Sequence, residues 1–182
     1  MLAKQKKEKG EAFVSTVLFD NCSNVIHDRL PIDKVPDMTD KDYEVGGCTA
    51  LLDAVGGAIR HIGNIHKYAR REDVPEHTIF VITTDGMENA SRRYTAGRVK
   101  AMIEERKEKY GWEFLFLGAN IDAVEAARNI GICEDRTAQF HNDSIGQQVN
   151  FEAVCGAVQA VRAGKTLSGK WKAKIDEDYR SR

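Results

Sequence analysis

Residues 77–84 read HTIFVITT, a nearly continuous apolar run of strand length that stops at Asp85 and Gly86. A run of this kind, bounded by turn residues, is typical of a strand that helices cover on both faces. Residues 112–118 (WEFLFLG) form a second short apolar run. Between the two runs, apolar residues recur at helical spacing among charged ones. This order of strand, helix and strand predicts a βαβ unit with parallel strands.

The same alternation extends in both directions along the chain. Residues 11–20 (EAFVSTVLFD) are rich in β-branched and aromatic side chains and predict a buried strand, and residues 25–32 predict a shorter partner strand. From Leu51, apolar residues repeat at helical spacing, and that helix is expected to end before Pro75. Downstream we expect a short helix, a weak strand and a last helix, at residues 124–130, 137–140 and 144–163. The pattern predicts an α/β fold with a three-layer, doubly wound, mostly parallel sheet.

Composition restricts the classes of function. The chain has 182 residues, 42% of them hydrophobic, which suits one domain better than two. Its 27 basic and 28 acidic residues give a net charge of −1, so no global field favours nucleic acid or a membrane surface. The four scattered cysteines predict reduced thiols and a cytoplasmic location. We expect the domain to span residues 1–163, followed by a polar, loosely docked extension at residues 164–182.

Two loops carry candidate ligand chemistry. Residues 46–50 (GGCTA) place Thr49 at the mouth of the long helix, and residues 83–86 (TTDG) place Asp85 just past a buried strand. In open α/β sheets, ligands bind beyond the carboxyl ends of the strands, where such loops converge. A hydroxyl and a carboxylate at this position are ligands suited to Mg²⁺. Thr49 and Asp85 are therefore the candidate metal ligands.

At these two loops the chain resembles the von Willebrand factor A family, whose members carry a metal-ion-dependent adhesion site. Residues 48–51 (CTAL) resemble the family's threonine loop, and residues 84–86 (TDG) resemble its aspartate loop. The resemblance covers about residues 1–163. It implies a doubly wound α/β fold and a non-catalytic protein-binding module. In such a module an acidic side chain of a partner protein completes the coordination of a bound Mg²⁺.

The resemblance also implies a feature that this sequence lacks. The family's site begins with an Asp-x-Ser-x-Ser loop after a first strand, and residues 1–10 (MLAKQKKEKG) resemble the end of the helix that follows that strand. We expect Thr49 and Asp85 to be two of five ligand positions, too few for tight Mg²⁺ binding. Three explanations stay open: a start assigned to an internal methionine, a true truncation, or a domain completed by repacking or by another chain.

Each candidate ligand also has a simpler structural explanation. Thr49 is a suitable N-cap for the helix that begins near Leu51. Asp85 is a suitable turn residue before a glycine. Glu88 and Asn89 lie beside the second loop and are candidates for the fringe of the site, but for both we expect a solvated loop.

The functional hypotheses are therefore three. The first is a non-catalytic protein-binding module of the von Willebrand factor A type, with or without dependence on a divalent cation. The second is a small α/β hydrolase-like enzyme that uses Asp85 as a base or metal ligand. The third is a truncated remnant without a working metal site.

Overall fold

The computed structural model describes residues 1–37 and 47–182, so Gly46 of the first predicted loop lies outside the described residues. The chain divides into two compact units. One, here called the hairpin unit, comprises Leu2–Pro75 and Glu88–Thr95. The other, here called the sheet unit, comprises Met1, Glu76–Met87 and Ala96–Arg182. The candidate ligand Thr49 belongs to the hairpin unit, and Asp85 belongs to the sheet unit.

The hairpin unit begins with a short helix and two antiparallel strands. Helix α1 spans Leu2–Gln5, strand β1 spans Phe13–Phe19 and strand β2 spans Ser23–Pro31. Val, Thr and Phe side chains supply the strand propensity of β1. A hydrogen bond of 2.9 Å between the His27 ring and the Thr16 hydroxyl joins the two strands. Both predicted strands are confirmed.

Helix α2, Leu51–Tyr68, is the long helix of the hairpin unit. It ends before Pro75, as predicted. Its apolar residues recur every three or four positions, so one face of the helix can bury them. The buried apolar side chains of that face are Leu51, Ala54, Val55, Ile59 and Ile62. The N–H of Ala50, just before α2, donates to the carbonyl of Asp20 just after β1, which ties the start of the helix to the end of the strand.

Three parallel strands form the sheet of the sheet unit: β3 (Ile79–Thr84), β4 (Glu113–Gly118) and β5 (Thr137–Gln139). They lie in the order β3, β4, β5. The α/β class with a parallel sheet is therefore confirmed. Burial differs from the prediction, because residues 114–118 of β4 are all buried whereas Val81 of β3 is 39% exposed. The reason is position, since β4 is the central strand of this sheet and β3 is at its edge.

Three helices connect and follow these strands: α3 (Ala96–Tyr110), α4 (Ala123–Asn129) and α5 (Ser144–Arg162). Asp122 and Asp143 are the N-caps of α4 and α5, and each carboxylate accepts a hydrogen bond from the backbone N–H three residues further on. The predicted helices are confirmed within one or two residues of their ends. In the part of the chain that the structure describes, no helix is both long and apolar enough to cross a bilayer.

The core of the sheet unit sets the direction of α5. Ala157 packs in one buried cluster with Leu115, and Val154 packs in another with Leu117. The helix therefore runs opposite to the strands. Its amino-terminal end consequently lies toward their carboxyl ends, which is the edge where ligands bind in sheets of this kind.

Residues 164–182 pack against the sheet unit, so the predicted loose docking is wrong. Helix α6 spans Ala173–Ser181, and Ile175 within it is 1% exposed. Apolar or aromatic side chains occur here at every fourth position: Leu167, Trp171, Ile175 and Tyr179. This spacing suits one face of a helix and is the signal that the sequence analysis missed. The domain boundary at residue 163 stays a prediction.

Candidate functional site

Asp85 stands at the carboxyl edge of the parallel sheet. It follows the last residue of β3, it is exposed, and its Oδ2 accepts a hydrogen bond of 3.2 Å from the side-chain amide of Asn142. Asn142 lies three residues after β5, and its own Oδ1 accepts a hydrogen bond of 3.0 Å from Gln147 in α5. Because β4 lies between β3 and β5, this pair of side chains links the loops of two strands that are not neighbours.

Exposed apolar side chains accompany this polar group. Met87, two residues after Asp85, is 72% exposed, and Ile145, in the first turn of α5, is 55% exposed. Together with Asn142 and Gln147 these residues are called the Asp85 surface. An exposed carboxylate with capacity for a further contact, followed two residues later by an exposed methionine, is suited to recognition of another molecule.

The turn after β3 is made by Thr84 and not by Asp85. The Thr84 hydroxyl donates to the carbonyl of Gly86 at 3.0 Å and lies 3.4 Å from the N–H of the same residue. Among the described residues, Asn142 supplies the one hydrogen bond to the Asp85 carboxylate. The interpretation of Asp85 as a turn-forming residue is therefore wrong, since a neighbouring hydroxyl holds the turn.

Thr49 lies in the hairpin unit and is held through its backbone. Its N–H donates to Asn89 Oδ1 at 2.8 Å, and its carbonyl accepts from the N–H groups of Asn89 and Ala90 at 3.0 and 3.3 Å. The N-cap of α2 is Ala50, which has no side-chain capping hydrogen bond. The interpretation of Thr49 as a capping residue is therefore wrong, because Ala50 is at the N-cap position and a side chain from another segment accepts from the first turn.

Glu88 supplies that cap. Its carboxylate accepts hydrogen bonds from the N–H of Leu52 at 2.9 Å, from the N–H groups of Ala90 and Ser91 at 3.0 and 2.7 Å, and from the Ser91 hydroxyl at 2.7 Å. Burial raises the pKa of Glu88, but these hydrogen bonds together lower it by more. The expectation of a solvated loop is thus wrong for Glu88. A negative charge already occupies the positive end of α2.

Asp53 connects the same two segments in the converse way, with its side chain on α2 and its partners in the segment after Glu88. Its carboxylate, in the first turn of α2, accepts from the N–H groups of Arg92, Arg93 and Tyr94 at 3.0, 2.9 and 2.9 Å. Burial raises the pKa of Asp53, and these three hydrogen bonds outweigh it, so the pKa is lowered overall. The Glu88 carboxylate therefore accepts from the backbone at the start of α2, and the Asp53 carboxylate in α2 accepts from the backbone of residues 92–94.

Tyr94 packs closely against α2 as well. Its ring lies against Gly56, where a Cβ would come within 2.5 Å of a ring carbon. Sequence reasoning missed Glu88 and Asp53 as structural residues. A partial signal was present, since an acidic residue in the first turn of a helix is typical of capping, but its partner lies about forty positions away.

The ligand set for a cation is small. In the described ranges, no group of three or more His, Cys, Asp or Glu side chains lies together. Within the sheet unit, Asp85 has Asn142 beside it, and the amide presents an N–H donor to the carboxylate rather than an oxygen to a cation. Tight Mg²⁺ sites use more oxygen ligands than this pair offers. The arrangement thus fits a resident Mg²⁺ poorly, and the joint use of Thr49 and Asp85 as metal ligands stays a prediction.

Comparison with known proteins gives no match. No family model matches the chain, and neither a curated protein nor a solved structure matches it.

Proposed function

We propose that this protein is a non-catalytic protein-binding module of the von Willebrand factor A type, working in the cytoplasm. The Asp85 surface is its docking face. The single observation that carries the proposal is the position of Asp85, which is exposed at the carboxyl end of β3 and joined to Asn142 beyond β5. Ligands of open α/β sheets bind at this edge.

The parallel sheet is in keeping with the proposed fold. The described strands form a two-stranded antiparallel sheet and a three-stranded parallel sheet. The parallel strands with helices between them are compatible with a Rossmann-like α/β fold. The doubly wound, three-layer form of the fold is therefore part of the proposal.

The composition of the Asp85 surface favours a protein partner. Met87 and Ile145 are large, flexible or branched apolar residues with more than half of their surface exposed. Such side chains become favourable contacts when a partner buries them, while the Asp85 carboxylate adds direction through a polar contact. An acidic partner side chain bridged by a cation is the form of contact that the resemblance implies.

A site-specific crosslinking experiment tests the proposal. A photoreactive residue replaces Met87, and proteins crosslinked in cells are compared between the otherwise unchanged chain and Asp85→Ala. We expect one crosslinked protein to be lost with Asp85→Ala and retained with Glu177→Ala, a matched removal of an exposed acidic residue on α6. A crosslinking pattern that Asp85→Ala leaves unchanged contradicts the proposal.

The same material tests the cation. Loss of the crosslink in EDTA and its recovery with Mg²⁺ indicate a cation-dependent contact, and an unchanged crosslink indicates a direct one. The enzyme alternative predicts a different result. Hydrolysis of a simple phosphate or carboxylate ester that disappears in Asp85→Ala would support the hydrolase hypothesis instead.

A further inference from the structure

Helix α6 contacts the segment that carries Asn142 on both sides of this residue. On the side before Asn142, the Tyr179 hydroxyl accepts a hydrogen bond of 2.7 Å from Gln139 Nε2. The Tyr179 ring also stacks on His141, with 4.7 Å between ring centres, and the Tyr179 carbonyl oxygen lies 3.2 Å from His141 Nε2. Tyr179 thus holds the chain as it leaves β5.

On the side after Asn142, Arg182 holds the next residue. Its guanidinium donates to both carboxylate oxygens of Asp143, at 2.6 and 3.3 Å, and to Asp178 at 2.6 Å. Hydrogen bonds from Arg182 and from the Gly146 N–H lower the pKa of Asp143. Asn142 therefore lies between two residues that are both fastened to one end of α6.

The segment between these anchors has little freedom of its own. A Cβ on Gly146 would come within 2.0 Å of the His141 carbonyl oxygen, so the backbone closes tightly around Asn142. A tight turn with both ends fixed restricts the positions that the side chain can take. The direction of the Asn142 amide toward Asp85 then depends on where α6 lies.

The strap, residues 164–182, is itself fastened to the start of β5 and to the turn before it. Trp171 donates from its ring nitrogen to the carbonyl of Asp135 at 2.9 Å, and Lys172 Nζ donates to the carbonyls of Glu134 and Thr137 at 2.8 and 2.7 Å. Ile175 is 1% exposed and belongs to the buried cluster that contains Leu117 and Val154. The strap is therefore fixed by core packing near residues 171–175, and its far end reaches the Asn142 segment.

We infer that the strap is a regulatory element that sets the availability of the Asp85 carboxylate. With the strap docked, Asn142 occupies one carboxylate oxygen of Asp85. When the end of α6 is released, the segment around Asn142 loosens and that oxygen becomes free for a cation or for a donor on a partner. Tyr179 and Arg182 are positioning residues in this arrangement, since they act through His141 and Asp143. The functional consequence rests on the proposed docking face.

Solvent exchange of the Asn142 side-chain amide, measured by NMR on the whole ¹⁵N-labelled chain, tests the inference without a partner. The variant Asp85→Ala lacks the acceptor of this hydrogen bond, so it gives the exchange rate of an Asn142 amide that is not bonded to Asp85. We expect Tyr179→Ala and Arg182→Ala to raise the rate by about fivefold or more, toward the rate in Asp85→Ala. Arg182→Lys keeps a charged donor and is expected to give an intermediate rate.

The matched control is Arg180→Ala, which removes an arginine from the same helix whose side chain is 78% exposed and contacts Asp176. Its exchange rate is expected to equal that of the unchanged chain. If Tyr179→Ala unfolds the sheet unit, as judged from the amide signals of β4, Arg182→Ala decides the result alone. Exchange in Arg182→Ala equal to that in Arg180→Ala overturns the inference. That failure is distinct from failure of the docking face, which is read from the Asp85→Ala crosslink.

Discussion

The two loops that the sequence singles out differ in how their hydrogen-bonding capacity is used. Around Thr49, backbone groups are matched by Asn89, Glu88 and Ser91 within the hairpin unit. Around Asp85, the carboxylate has one hydrogen bond, from Asn142, in the described part of the chain. The Thr49 loop is therefore held through its backbone, and the Asp85 carboxylate keeps capacity for a further hydrogen bond.

The largest expected effect is a loss of stability when the hydrogen bonds around the Thr49 loop are removed. Glu88→Ala leaves the N–H groups of Leu52, Ala90 and Ser91 without their charged acceptor. We expect a loss of about 2–3 kcal/mol in the free energy of unfolding, measured by urea denaturation. Glu72→Ala, which removes an exposed carboxylate paired with Arg70, is the control and is expected to change stability little. Equal effects of the two substitutions contradict the role of Glu88.

A pair of neighbouring glycines in α2 tests how tightly Tyr94 packs. Gly56→Ala places a methyl group against the Tyr94 ring and is expected to cost about 1–3 kcal/mol. Gly57→Ala meets no atom within 4 Å and is expected to stabilise the helix by about 0.5–1 kcal/mol. Thermal melting of both variants measures the difference. Similar melting temperatures would show that Tyr94 moves away without cost.

Acid sensitivity follows from the same carboxylates. The pKa values of Glu88 and Asp53 are lowered in the folded protein. Such groups stabilise the fold fully above their unfolded-state pKa values of about 4, and the stabilisation is lost as the pH falls through the lower folded values. The urea midpoint is therefore expected to be level from neutral pH to about pH 5 and to fall below it. In Glu88→Gln the fall should be shallower, and an unchanged slope argues against this origin.

The smallest expected effect on stability is at the Asp85 loop. Asn142→Ala removes one exposed hydrogen bond to Asp85 and should change the free energy of unfolding by no more than about 0.5 kcal/mol. The same substitution should alter the crosslink at position 87, because it changes the proposed docking face. Urea denaturation and crosslinking on one sample measure both. A large loss of stability would place Asn142 among the structural residues and remove the contrast between the two loops.

Much of the fold could be predicted because its signals are local. Apolar runs and helical spacing are read over a few residues, and they placed β3, β4 and α5 within one or two positions of their observed ends and α2 at its observed start. The strap was missed because its apolar residues are separated by polar ones, and only packing against β5 makes Ile175 part of the core. The exposure of Val81 was missed because strand order is not encoded in the strand itself.

The sequence by itself determined the order of strands and helices and the placement of Thr49 and Asp85 at the ends of two such elements. Tertiary structure decided which groups each of them contacts. Asn142 is 57 residues from Asp85, and Tyr94 is 41 residues from Asp53, so neither pairing follows from local spacing. The physical reason is that secondary structure depends on neighbours along the chain, whereas hydrogen-bond partners depend on which loops the packed core brings together.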